Sequence, residues 1–137
     1  KSLSKKEAHT LLRTVDCCMD SFPICGMSSS FDALIMGIPI VTLPFDIPFG
    51  KWTAAIYEYI GVDGLVARSK EDYISLCLRL ANDKEWKQEK SDEINKKASI
   101  LLENKESAKE LEQFIIAAWE RKKANLPNKD WILSEWK

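Results

Sequence analysis

The segment DSFPICGMSSSFD, residues 20–32, holds the side chains best placed for chemistry. Gly26 permits close backbone approach, and Ser28, Ser29 and Ser30 supply hydroxyls at the start of the compact apolar stretch FDALIMG, so a helix is expected to begin among the serines. A helix N-terminus combines unpaired N–H groups with a dipole that favours a nearby negative charge by about 0.3–1 kcal/mol, so this turn can hold a phosphate. Asp32, expected in the first helical turn, can accept hydrogen bonds from ribose hydroxyls as acids do in dinucleotide folds, or simply offset the dipole. Lys51 follows the loop PFDIPFG and can reach a phosphate as a point charge; the plain alternative is a surface lysine. Serine is also an ordinary helix cap, so the pattern alone describes either a phosphate site or a capped helix.

Other chemistries find fewer residues. Cys17, Cys18, Cys25 and Cys77 form no C-x-x-C pair and meet no histidine cluster, so no metal and no resident cofactor are expected, and the four read as buried, reduced thiols. His9 is the lone histidine and no G-x-S-x-G elbow is present, which leaves little basis for triad hydrolysis. Twenty basic residues against 21 acidic ones leave a net charge of −1, which provides no field to draw nucleic acid or an anionic membrane. Apolar stretches such as IPIVTLPF fall short of the roughly 20 residues of a membrane span, and no basic-then-apolar leader opens the chain. The cytoplasm is the expected compartment. Lys1 is not Met, and the first residues already read as the inside of a folded unit, so a piece of a longer protein is expected.

The elements that must position these residues follow from periodicity. Ser4-Lys5-Lys6-Glu7 has the capping-box pattern and predicts a helix over 5–14. VDCCM predicts a buried strand over 15–19, SSSFDALIMG a helix over 28–36 closed by Gly37, and IPIVTLP a second buried strand over 39–43. In KWTAAIYEYIG, Trp52, Ala55, Ile56, Tyr59 and Ile60 share one helical face, with Gly61 at the end. LVA, residues 65–67, predicts a third strand, and Ser69 caps a helix carrying Tyr73, Ile74, Cys77, Leu78 and Leu80. Such alternation with short links is the signature of a parallel α/β sheet, whose ligands bind outside the carboxyl ends of the strands. The loops 20–30 and 44–51 lie there. Positions 1–69 hold 13 charged residues and positions 70–137 hold 28, so the second half is more solvated. Two further helices are expected over 84–102 and 105–123, the second with an apolar stripe of Leu111, Phe114, Ile115, Ala118 and Trp119. Trp131 and Trp136 in the tail are expected to cover an apolar patch or meet a partner surface.

The string DSFPICGMSSSFDALIMGIPIVTLP, followed by a loop, a basic residue, a helix ending in Ile-Gly and LVARSKEDYISLCLRLAND, resembles the C-terminal catalytic lobe of the O-linked N-acetylglucosamine transferase family, glycosyltransferase family 41. The resemblance covers roughly residues 5–120. It implies a partial Rossmann-like parallel sheet, the C-terminal part of a glycosyltransferase B fold lobe, followed by C-terminal helices. It further implies transfer of a sugar from a nucleotide diphosphate donor, expected to be a UDP-sugar, to Ser or Thr of a protein acceptor, with the family's tetratricopeptide repeats and first lobe lying before residue 1. The family pattern Asp-Thr-Phe-Pro-x-Asn-Gly-(His or Gly)-Thr-Thr-x-x-Asp falls on Asp20 to Asp32. The resemblance thereby assigns donor binding to Gly26, Met27, Ser28 and Ser29, with the diphosphate on the hydroxyls of Ser28 and Ser29, the ribose on Asp32, and a supporting charge on Lys51, where the family has Arg. Cys25 stands where the family has Asn, and Met27 where it has His or Gly. The family's Glu-His is Glu7-Ala8-His9 here, displaced by one residue, or about 100° around a helix, so His9 either aligns through a small shift or points elsewhere.

The expected organisation is a nucleotide-sugar-binding α/β segment over 1–82, C-terminal helices over 83–123 packing on the lobe, and a tail over 124–137. No catalytic residue is assigned. A degenerate donor-binding module and a purely structural α/β domain remain as alternatives, and the donor's sugar and base stay open.

Overall fold

The structure is a computed structural model that describes residues 3–102, 104–130 and 132. Trp131 and Trp136 of the tail lie outside the described residues.

Helix α1 spans Lys5–Leu12 and opens on the expected capping box, with the Glu7 N–H donating to Ser4 Oγ at 3.3 Å and the Ser4 N–H donating to the Glu7 carboxylate at 2.8 Å. It stops short of residue 14 because the N–H groups of Thr14 and Val15 turn back to the carbonyls of Leu11 and Leu12, which tightens the last turn. The first strand is correspondingly shorter than 15–19: β1 is Cys18–Met19. It pairs in parallel with β2, Ile40–Val41, Cys18 lying opposite Ile40 and Met19 opposite Val41. The run 65–67 contributes one parallel bridge rather than a full strand, Thr42 opposite Val66. Thr42 donates its N–H to Leu65 O and accepts from the Ala67 N–H.

With β2 in the middle, residues 38–42 are all buried, as expected of a strand covered on both faces. The edge position of β1 leaves Cys18 half-buried and Met19 65% exposed, so that run is less buried than its apolar composition suggests. The same holds for the thiols: all four are free, Cys25 is buried, and Cys17, Cys18 and Cys77 are half-buried. Partial burial raises the pKa of those three.

Helix α2, Ser28–Ile35, links β1 to β2, and α3, Trp52–Ile60, links β2 to the 65–67 run. α2 closes as a Schellman turn: Gly37 takes φ 72, its N–H donates to Leu34 O, and the Ile38 N–H donates to Ala33 O. A short 3-10 turn, Pro48–Gly50, precedes α3. The buried face of α3 is Thr53, Ile56, Tyr57 and Ile60, while Trp52 and Tyr59 are exposed. The helix is thus rotated from the face that apolar spacing alone selects. The cause is polar, because the Tyr57 hydroxyl accepts from Ile40 N–H at 2.8 Å and donates to Ile40 O at 2.9 Å inside the core. Burial drives that phenol's pKa upward.

Ser69 caps α4, Lys70–Asn82, by accepting from the Asp72 N–H, and Asp83 caps α5, Lys84–Lys97, by accepting from the Trp86 N–H. Beyond Lys97 the chain tightens into a 3-10 turn, Ala98–Leu101, so a single helix over 84–102 is not formed. Leu34, Val41, Tyr57, Leu65, Leu80 and Ile94 are fully buried in one core that draws on α2, β2, α3, α4 and α5.

The chain divides into two compact units, Lys1–Leu101 and Leu102–Lys137. The second contains α6, Lys105–Lys123, capped by Asn104, which accepts from the Ser107 N–H at 3.1 Å. Leu111, Phe114, Ile115 and Trp119 of its stripe are exposed. Among the described residues no helix is long and apolar enough to cross a membrane.

Candidate functional site

The serine turn begins a helix as its sequence suggests, but no serine caps it. Met27 occupies the N-cap with φ −113 and offers no side-chain hydrogen bond, so the first turn of α2, Ser28 to Ser30, has no side-chain cap. Ser28 and Ser29 are exposed. Ser30 is buried and lies 3.0 Å from the Thr53 hydroxyl of α3, which makes it a packing group rather than a ligand group. A Cβ at Gly26 would sit 2.6 Å from Ser30 Oγ and 2.7 Å from Ser29 Oγ, so a side chain there would force both serine hydroxyls to move.

Asp32 lies in the second turn of α2, not the first, since the helix starts at Ser28. Four residues separate it from Ser28, which puts both on one face about 6 Å apart along the axis. His9 of α1 turns toward it: His9 Nε2 lies 3.1 Å from Asp32 Oδ2, although without the alignment of a good hydrogen bond. Lys5, one turn earlier on α1, brings its Nζ to 3.9 Å from the other carboxylate oxygen. α1 therefore places two basic side chains against Asp32. The one-residue displacement of His9 does not carry it away from the turn's neighbourhood.

The loop before α2 is folded around Asp20, which is 8% exposed. Its Oδ1 accepts the Gly26 N–H at 2.6 Å and the Ser21 N–H at 3.1 Å, and its Oδ2 accepts the Thr42 hydroxyl at 2.8 Å. Tyr73 of α4 donates its hydroxyl to Asp20 O at 2.8 Å. The Gly26 N–H is therefore engaged inward, and the backbone donors left at the mouth are those of the first turn of α2. Cys25 points away from the mouth, with both its N–H and its thiol donating to Phe49 O at 3.0 and 2.8 Å. That contact joins the 20–27 loop to the 44–51 loop, and Phe22 meets Phe45 edge-on with ring centroids 5.2 Å apart.

Lys51 stands apart from this group. Its Nζ donates to Asp46 at 2.6 Å, which holds the Asp46 carboxyl below the ordinary carboxylate range. It lines an open cleft of about 770 Å³ beside α3, with Pro44, Val66 and Arg68. None of Gly26, Met27, Ser28, Ser29, Asp32 or His9 lines that cleft. The structure thus gathers Gly26, Met27, Ser28, Ser29, Asp32 and His9 around the start of α2 and leaves Lys51 in a local ion pair. Asp20, Thr42, Tyr73 and Lys5 belong to the site's surroundings: Asp20 opens the family pattern but has no role assigned to it there, and no site motif marks Thr42, Tyr73 or Lys5.

The sequence pattern of Glycosyl transferase family 41 matches residues 2–111. A curated UDP-N-acetylglucosamine--peptide N-acetylglucosaminyltransferase of Caenorhabditis elegans is 25% identical over 130 residues, which are 92% of this chain and 11% of that protein. The "Probable UDP-N-acetylglucosamine--peptide N-acetylglucosaminyltransferase SPINDLY" of Oryza sativa subsp. japonica is 32% identical over 77 residues, 56% of this chain and 8% of that one. Among solved structures, a mutant Thermobaculum terrenum O-GlcNAc transferase superposes with a TM-score of 0.68 at 25% identity, over 74% of this chain and 20% of that chain. The chain thus spans about a tenth of the length of the two curated relatives and 20% of the solved chain. Its parallel strand-and-helix order is that of the partial Rossmann-like lobe expected from the resemblance. Matched over most of its residues and sharing the fold of an O-GlcNAc transferase, the chain belongs to glycosyl transferase family 41.

Proposed function

We propose that this chain is the donor-binding part of a nucleotide-sugar-dependent glycosyltransferase that modifies Ser or Thr of a protein acceptor. The observation that carries the reading is the uncapped start of α2, with the exposed Ser28 and Ser29 on it and Asp32 one turn on along the same face. Ser28 and Ser29, with the backbone of Gly26 and Met27 close by, take the donor diphosphate, and Asp32, flanked by His9 and Lys5, takes the ribose hydroxyls. As the sugar leaves, negative charge grows on the departing diphosphate, and the helix dipole with its oriented N–H groups stabilises that charge without reorganising. Lys51 joins this set only by leaving Asp46. The names of the relatives support a UDP-sugar donor and a polypeptide acceptor. The acceptor base is assigned to parts of the protein outside these residues, so the isolated chain binds donor and transfers nothing.

Titration calorimetry with UDP and UDP-N-acetylglucosamine tests this. Asp32→Ala and the double change Ser28→Ala, Ser29→Ala are each expected to weaken binding about tenfold, the scale of one or two charge-assisted hydrogen bonds. Unchanged affinity in both variants, or sugar transfer by the chain alone, defeats the proposal. A binding module without turnover is the second reading. It is favoured by Met27 and Cys25, the first apolar at the N-cap and the second engaged with Phe49, so neither offers a polar group to the donor. Donor hydrolysis and transfer to an acceptor peptide, measured beside binding in the complete protein, separate the two.

A further inference from the structure

We infer that Asp20 is a positioning residue for the donor turn: it sets which N–H groups face the diphosphate without touching it. The inference rests on the donor-binding reading above. Asp20 is a buried carboxylate held, among the described residues, by uncharged donors: the Gly26 and Ser21 N–H groups on Oδ1 and the Thr42 hydroxyl on Oδ2. Placed beside an anion site, its charge opposes the ligand, so its contribution to binding is geometric. Oδ1 draws the Gly26 N–H inward and closes residues 20–26 into a ring, which fixes the peptide planes entering α2 and leaves the first-turn N–H groups facing outward. Oδ2 ties that ring to Thr42, whose own N–H and C=O bind Leu65 and Ala67. The Tyr73 hydroxyl fixes the Asp20 carbonyl from α4. One residue thereby aligns the turn with β2, the 65–67 run and α4.

Asparagine is the discriminating substitution. Its Oδ1 keeps the Gly26 and Ser21 N–H groups, and its Nδ2 donates to Thr42 Oγ1, so the geometry survives while the charge is lost. UDP affinity is to be measured by titration at a temperature where circular dichroism shows each variant folded. Asp20→Ala is expected to weaken UDP about tenfold or more, as expected when a buried donor is left unpaired at a binding turn. Asp20→Asn is expected to bind within roughly twofold of the original chain or tighter. If Asp20→Ala binds UDP as well as the original chain, the positioning role is refuted while the donor reading stands. Equal weakening in Asn and Ala also refutes it, since charge and not geometry would then matter. If the unaltered chain fails to bind UDP, both readings fall together. Should Asp20→Ala not fold, Thr42→Val and Tyr73→Phe each remove one anchor; several-fold weaker UDP binding in both supports the role, and unchanged affinity in both overturns it.

Discussion

Hydroxyl groups decide the orientation of several side chains here. Tyr57 reaches both backbone groups of Ile40, Thr53 meets Ser30, and Tyr73 reaches Asp20. These contacts explain why α3 buries Thr53 and Tyr57 in place of Trp52 and Tyr59. Apolar periodicity weighs side chains by hydrophobicity and has no way to see a hydroxyl whose partner lies 17 or 53 residues away. Tyr73 also gives the protein an alkaline limit. Burial, then the nearby Cys77 and Asp20, push its phenol up from 10.0 to about 12. Below pH 10 it is protonated in both folded and unfolded chains and stability does not depend on it. Between pH 10 and about 12 the unfolded phenol ionises while the folded one does not, so stability falls as pH rises. Urea midpoints measured across that window are expected to fall less steeply for Tyr73→Phe than for the original chain, and identical slopes would exclude the effect.

At the scale of elements, helices were more legible than strands. Ser4 with Glu7, Ser69 and Gly37 are local signals read within a few residues, and the structure uses each as a cap or a closure. The strands are only two residues long, their pairing is set by neighbours distant in sequence, and β1, lying at the edge, is buried less than its composition implies. The start of α2 departs from its local pattern: three serines in a row suggest a hydroxyl cap, yet the chain enters through Met27 and moves Asp32 into the second turn. That shift removes the dipole-offsetting role from Asp32, because the effect fades beyond the first turn. The end of α2 is stricter. Gly37→Ala combines a left-handed φ with a Cβ that strikes the Asn95 side chain, and is expected to cost about 1–3 kcal/mol in urea unfolding. Adding Asn95→Ala should recover part of that loss, the part due to the clash; no recovery would assign the whole cost to the backbone.

For the whole molecule, the core of residues up to Leu101 is continuous, and Leu101 itself packs against it. A chain ended after Leu101 is expected to show a cooperative thermal transition by circular dichroism and to keep the UDP binding proposed above; a broad, non-cooperative melt would show that residues 102–137 are needed. The fold class was legible because strand and helix alternate with short links, and the turn because serines and an acid cluster after Gly26. The support beneath that turn was not legible, since it is assembled from Thr42 and Tyr73, 22 and 53 residues beyond Asp20. That distance has a consequence during synthesis. At roughly 5–20 residues per second, a nascent chain carries residues 20–32 for about 2–8 s before Tyr73 is even made. Through that interval the turn exists as sequence without its anchors, so the donor site proposed above is complete only once Tyr73 of α4 has been made.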